Sequence, residues 1–141
     1  MKDKLIIILV GLPARGKSYT SNNLCRFLNW CGKKSKVFNA GEYRRNKING
    51  YQDCNFFDPM NKYCYNEKEK IAIECFRDLL KWLDNDGEIA IFDATNTNKK
   101  RRSYLVKESK DRNIIFLELI TNNLNIINNN LEMKLISPDY I

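Results

Sequence analysis

The stretch LIIILVGLPARGKS, residues 5–18, decides the fold. Its first six residues are wholly apolar, as in a parallel strand covered on both faces. The rest, GLPARGKS, fits G-x-x-x-x-G-K-[ST]. A strand, a glycine-bounded loop and a helix start make a phosphate cradle. Gly11 and Gly16 let the loop through Leu12, Pro13, Ala14 and Arg15 turn tightly, so backbone N–H groups can face one anion. Lys17 is placed to reach the β- and γ-phosphates, and Ser18 to put a hydroxyl on Mg²⁺. The pattern predicts binding of a nucleoside triphosphate.

Composition supports an anionic ligand. The chain has 141 residues, enough for one domain, 1–141, with a workable core. With 24 basic and 17 acidic residues its net charge is +7, which suits nucleotides, sugar phosphates or nucleic acid. There is no histidine, so His-dependent triads are excluded. Cys25, Cys31, Cys54, Cys64 and Cys75 form no C-x-x-C pair, which argues against zinc and for free thiols in a reducing compartment. The apolar run at 5–10 is shorter than a signal-peptide core and leads straight into the loop. No run is long enough to span a membrane, and the cytoplasm is the expected location.

Further along, periodicity predicts a helix from Ser18 to Cys31 with Leu24, Phe27, Leu28 and Cys31 inward, ended by Gly32. KVF at 36–38 reads as a short strand and 39–65 as a long irregular segment. A second helix is expected over 66–84, its apolar stripe formed by Ala72, Cys75, Phe76, Leu79, Leu80 and Leu83. EIAIFD at 88–93, a basic helix at 98–112 and IIFLELI at 114–120 follow, then an Asn-rich stretch at 122–130. Alternation of strands and helices predicts an α/β fold with a parallel sheet, and ligands beyond its strands' carboxyl ends.

Asp93 ends an apolar strand, the position of an aspartate that shares Mg²⁺ with the loop hydroxyl. It could also accept the proton of an attacking hydroxyl. Arg44 and Arg45 follow the second strand, and Arg101 and Arg102 the third. Guanidinium groups hold phosphate bidentately, and one member of each pair is expected to face the site.

With these residues in view, GLPARGKSY, VFNAGEYRR, IAIFDATNTN-x-x-RR and MKLISPDY resemble the 6-phosphofructo-2-kinase domain of the bifunctional 6-phosphofructo-2-kinase/fructose-2,6-bisphosphatases. The likeness spans essentially the whole chain. It implies a P-loop-containing nucleoside triphosphate hydrolase-like, three-layer fold. It implies transfer of the ATP γ-phosphate, with Mg²⁺, to the 2-hydroxyl of fructose 6-phosphate. Carried over by position, the nucleotide loop is Gly11 to Tyr19, with Asn129 and Lys134 on the nucleotide side. Lys17 and Asp93 are catalytic, and Ser18 and Asp93 hold the metal. Arg44, Lys68, Thr95 and Arg101 bind the sugar phosphate.

Lys68 stands where the family has arginine, which keeps charge and loses the fork. Thr121 replaces a family cysteine. The family's kinase domain continues past SPDY, so a sheet incomplete at the C-terminus is expected, with self-association or a partner chain completing it. No membrane or nucleic-acid partner is expected. Two alternatives stand beside this reading: another P-loop kinase acting on a polynucleotide end, and a non-catalytic ATP-binding remnant.

Overall fold

The computed structural model describes residues 4–11, 17–47, 62–96 and 98–119. Among the described residues four strands and four helices follow in order: β1 Leu5–Val10, α1 Lys17–Trp30, β2 Ser35–Asn39, α2 Ala40–Lys47, α3 Lys62–Asn85, β3 Ile89–Asp93, α4 Lys99–Ser109 and β4 Asn113–Glu118. All pairings are parallel, in the order β2-β3-β1-β4. The chain leaves β1 towards β2 on one side and β3 towards β4 on the other. Such a reversal opens a crevice beyond the carboxyl ends of the central strands.

Side-chain alternation along β1 sorts the core into two clusters, one on each face of the sheet. Ile6 and Ile8 pack with Phe38, Ala72, Cys75, Phe76, Leu79, Leu83, Phe92 and Leu105, so α3 and α4 cover that face. Ile7 and Leu9 join Ile91, Leu24, Cys25 and Leu28, so α1 covers the other. The α/β class and three layers expected from the sequence are both present. Phe76 meets Phe92 edge-on at 5.2 Å between ring centroids. Burying each such side chain contributes about 1.5–3 kcal/mol.

Gly32 ends α1 in the left-handed region, at φ +90°. Its N–H donates to the Asn29 carbonyl and that of Lys33 to Leu28, satisfying carbonyls the helix leaves open. Asn29 then clasps β2: its Oδ1 accepts from Ser35 N at 2.8 Å and its Nδ2 donates to Ser35 O at 3.0 Å.

Three expectations need correction. Residues 39–65 are not irregular throughout. Ala40–Lys47 is helical, and α3 starts at Lys62 rather than Asn66. Helix α2 contains Gly41, a poor helix former, but Asn39 caps it, its Oδ1 accepting from Glu42 N at 3.1 Å. Phe27 and Cys31 are exposed rather than inward. The inward row of α1 is instead Lys17, Ser21, Leu24, Cys25 and Leu28, because its first turns face the polar site and set the rotation of the whole helix. The basic helix is shorter than 98–112, running Lys99–Ser109 with Asn98 as its cap.

Candidate functional site

Asp93 lies at the end of β3, directly opposite Asn39 of β2, and is buried. Its Oδ2 accepts from Ser18 Oγ at 2.8 Å, Asn39 Nδ2 at 3.0 Å and Ser21 Oγ at 3.3 Å. A buried carboxylate costs several kcal/mol unless its oxygens are hydrogen-bonded, by order of magnitude. Three donors converging on one oxygen meet that need and fix the side chain. Ser18 and Ser21 come from the first turns of α1, so the carboxylate joins the strand end to the helix that follows the phosphate loop. Ser18 Oγ and Asp93 are hard oxygen donors. They fit a magnesium ion, which takes one or two carboxylates and fills its remaining positions with water and phosphate.

Between β1 and α1 the backbone is tightly drawn. Gly11 N donates to Thr95 O at 3.0 Å, linking the loop's first residue to the strand end beyond Asp93. A Cβ at Gly11 would lie 3.0 Å from the Leu119 carbonyl oxygen and 3.5 Å from Lys17 Cδ. Glycine is therefore needed here for space. Lys17 is buried at the head of α1. Asn96, almost fully buried, adopts φ 53° and donates from Nδ2 to Leu9 O at 2.8 Å. Asparagine tolerates that left-handed geometry better than most residues. Arg102 Nη1 in turn donates to Asn96 O at 3.1 Å.

The basic residues expected at the sugar phosphate lie on the helices α2, α3 and α4. Arg101 grips Glu69 with a fork: Nε donates to Oε2 at 3.2 Å and Nη2 to Oε1. Lys68 precedes Glu69 on α3 and is half-buried. Arg44 lies on α2, one residue past Tyr43, whose hydroxyl donates to Asp78 Oδ2 at 2.7 Å. Burial, and after it the Asp78 carboxylate, push the Tyr43 hydroxyl well above its usual range, so it stays a neutral donor. The expectation for the arginine pairs resolves unevenly. Arg101 turns to α3 and Arg102 to the backbone beyond β3, while the Arg45 side chain is outside the described residues.

Of the predicted site residues, the structure brings together Gly11, Lys17, Ser18, Asp93 and Thr95. It places Arg44, Lys68 and Arg101 on the three helices named above. Tyr19 follows on α1 and is exposed. Leu12, Pro13, Ala14, Arg15, Gly16, Asn129 and Lys134 lie outside the described residues, as does Thr121. Ser21 and Glu69 were missed, and Asn39 was not singled out within the segment 39–45 that follows the second strand. Asn39 had a signal: Asn-x-x-Glu at 39–42 is the pattern of a helix cap with an acid three residues on. Ser21 had a weaker one, one helical turn after Ser18. Glu69 had none, since its partner lies 32 residues away.

Solved structures with this architecture include the Mycobacterium tuberculosis APS kinase CysC, captured with AMPPNP and APS. Its TM-score is 0.69 at 14% identity, covering 94% of this chain and 73% of that one. A gluconokinase from Sinorhizobium meliloti 1021 gives 0.51 at 12% identity, covering 94% and 66%. At such identities the likeness concerns the fold alone. Sequence likeness is much closer. A 6-phosphofructo-2-kinase/fructose-2,6-bisphosphatase 3 of Bos taurus is 41% identical over 139 residues, 96% of this chain and 30% of the relative. A 6-phosphofructo-2-kinase/fructose-2,6-bisphosphatase 1 of Mus musculus is 43% identical over 140 residues, again 96% and 30%. The chain thus spans about a third of the length of these relatives. A family model described as 6-phosphofructo-2-kinase matches residues 1–141, and the chain belongs to that family.

Proposed function

We propose that the chain is one kinase domain, 1–141, that transfers the γ-phosphate of ATP to the 2-hydroxyl of fructose 6-phosphate, giving fructose 2,6-bisphosphate. The observation that carries this reading is the convergence of Ser18, Asn39 and Asp93 beside Gly11 and Lys17, in a member of this family. Phosphoryl transfer needs positioning and charge neutralisation more than covalent chemistry by the protein, so a site without histidine suffices. Gly11 to Tyr19 would wrap the triphosphate, with Asn129 and Lys134 on the nucleotide side. Lys17 would neutralise charge that builds on the transferring group. Ser18 and Asp93 would hold Mg²⁺, which would supply charge neutralisation for the phosphates. Asp93 would also take the proton of the attacking hydroxyl.

Arg44, Lys68, Thr95 and Arg101 would bind the sugar phosphate. The start of α4 supports an anion there. Its first four residues, Lys99, Lys100, Arg101 and Arg102, are all cationic, with no acid in that turn. Cations at a helix N-terminus oppose its dipole by roughly 0.3–1 kcal/mol each at exposed positions, a cost that a bound anion would offset. Among the described residues no helix is long and apolar enough to cross a membrane. We propose the cytoplasm as its location, and self-association or a partner chain as its assembly. Incubating the purified protein with ATP, Mg²⁺ and fructose 6-phosphate tests the reading. Fructose 2,6-bisphosphate is the expected product. ADP release with a DNA 5′-hydroxyl and none with the sugar would overturn it.

A further inference from the structure

Asn39 does two things with one side chain. Its Nδ2 donates to Asp93 Oδ2 at 3.0 Å and approaches Ser18 Oγ at 3.5 Å, while its Oδ1 accepts from Glu42 N at 3.1 Å. The orientation of the amide is forced: a carboxylate only accepts and a backbone N–H only donates, so the reversed amide would lose both bonds. The register of β2 against β3 sets Asn39 opposite Asp93, and α2 begins at the next residue. Further along α2, Tyr43 is bonded to Asp78 of α3, so the helix is held at its start and near its middle. Arg44 follows directly. Any shift of Asn39 would move the Asp93 carboxylate and the start of the helix that carries Arg44 together.

We propose that Asn39 is a positioning residue that ties the Asp93 carboxylate to the N-terminus of α2, keeping the nucleotide and acceptor sides of the site in one register. The proposal rests on the function above for the meaning of the two sides. The bridge itself belongs to the ligand-free protein and can be tested there.

Substitutions separate the two bonds. Asn39→Ala removes both. Asn39→Ser keeps a cap for Glu42 N, but its hydroxyl is too short to cap and also reach Asp93. In the ligand-free chain, Asn39→Ala should speed hydrogen exchange at the Glu42 amide about fivefold, the loss of a typical cap. Asn39→Ser should return exchange to within about twofold of wild type, as capping preferences imply. Asp93→Asn should displace the Asn39 side-chain amide resonances. Binding is then measured with a fluorescent ATP analogue, with and without Mg²⁺, and with fructose 6-phosphate. Asn39→Ala should weaken the sugar phosphate and the metal-bound nucleotide, and weaken metal-free nucleotide less. Asn39→Ser should recover the sugar phosphate alone.

Unchanged Glu42 exchange in Asn39→Ala, or unmoved Asn39 resonances in Asp93→Asn, would overturn the proposal. So would an Asn39→Ser variant that recovers both ligands or neither. If the wild-type chain binds neither ligand, the kinase assignment falls, and the ligand-free measurements still decide the role of Asn39.

Discussion

The two sides of the site are built differently. On the Asp93 side, three donors from a strand end and a helix start meet one buried oxygen. On the Arg101 side, contacts run between helix surfaces: Arg101 to Glu69, and Tyr43 to Asp78. The first inherits its geometry from strand register and the tight approach at Gly11. The second depends on charged groups that water partly reaches. A register-built site resists change and fails abruptly. A charge-built site is screened by salt, and graded substitutions tune it.

Lys17→Ala should give the largest break in that contrast. Loss of the cation proposed to neutralise the transferring phosphate should cut turnover by about 10³-fold or more, comparable to losing a transition-state donor. The melting curve should move little, and ADP release under saturating substrates reads the effect. A rate near wild type would remove Lys17 from the chemistry.

Asp93→Asn comes next and also belongs to the register-built side. The amide oxygen can stand where Oδ2 stood and accept from the same donors, but it carries no charge. Mg²⁺-dependent nucleotide affinity should fall by about tenfold or more, with metal-free affinity nearly unchanged, because a hard anionic ligand is gone. A magnesium titration of nucleotide binding checks this. Unaltered metal dependence would make Asp93 purely structural.

The charge-built side should respond more gently. Arg101→Ala should raise the Kd for fructose 6-phosphate by about tenfold, the scale of a lost charge-assisted contact, and leave ATP affinity alone. Arg101→Lys should lie between, since lysine keeps the charge and loses the fork. Raising the salt concentration should narrow the gap between the three proteins. Calorimetric titration measures all of this. An ATP defect without a sugar defect would exchange the two sides.

The smallest effect concerns Cys75, fully buried on α3 beneath the Asp93 side. Burial first, and then the carboxylates of Asp78, Asp93 and Glu42, push its thiol from 9.0 up to about 12. The folded state therefore holds the neutral thiol while the unfolded chain ionises. This stability is complete below about pH 9 and is lost as pH rises towards 12, by at most about 1.4 kcal/mol per pH unit. Melting temperatures from pH 8 to 10.5 should fall less steeply in Cys75→Ala than in wild type. The slope is compared, since the smaller side chain also costs packing energy. Parallel slopes would show that the thiol ionises alike in both states.

What could be read in advance follows the same division. The apolar run at 5–10 and the stripe of α3 announced the sheet and its cover, because burial leaves a periodic trace in sequence. The meeting of Ser18 with Asp93 was legible because motif spacing and strand position are local. Phe27 was misread because the seat of α1 depends on its polar first turns, a tertiary fact. Helix α2 was hidden by Gly41 and its charged residues, although its cap stood in plain view at 39–42. The Arg101–Glu69 pair could not be foreseen, since no periodicity links residues on separate helices.

Strand order has a last consequence, for how the chain comes to fold. β1 lies beside β3 and β4, with Leu5 opposite Ile89 and Asn113, and among the described strands β2 pairs with β3 alone. Residues 5–47 thus contain two strands that never pair with each other. Emerging from the ribosome, they have no sheet to join until β3 arrives, more than forty residues after α2 ends. Insertion of β3 between them must close both long loops, which slows folding and leaves apolar β1 open to wrong partners meanwhile. The strand that delivers Asp93 is also the strand that makes the sheet, so folding and assembly of the site become one event.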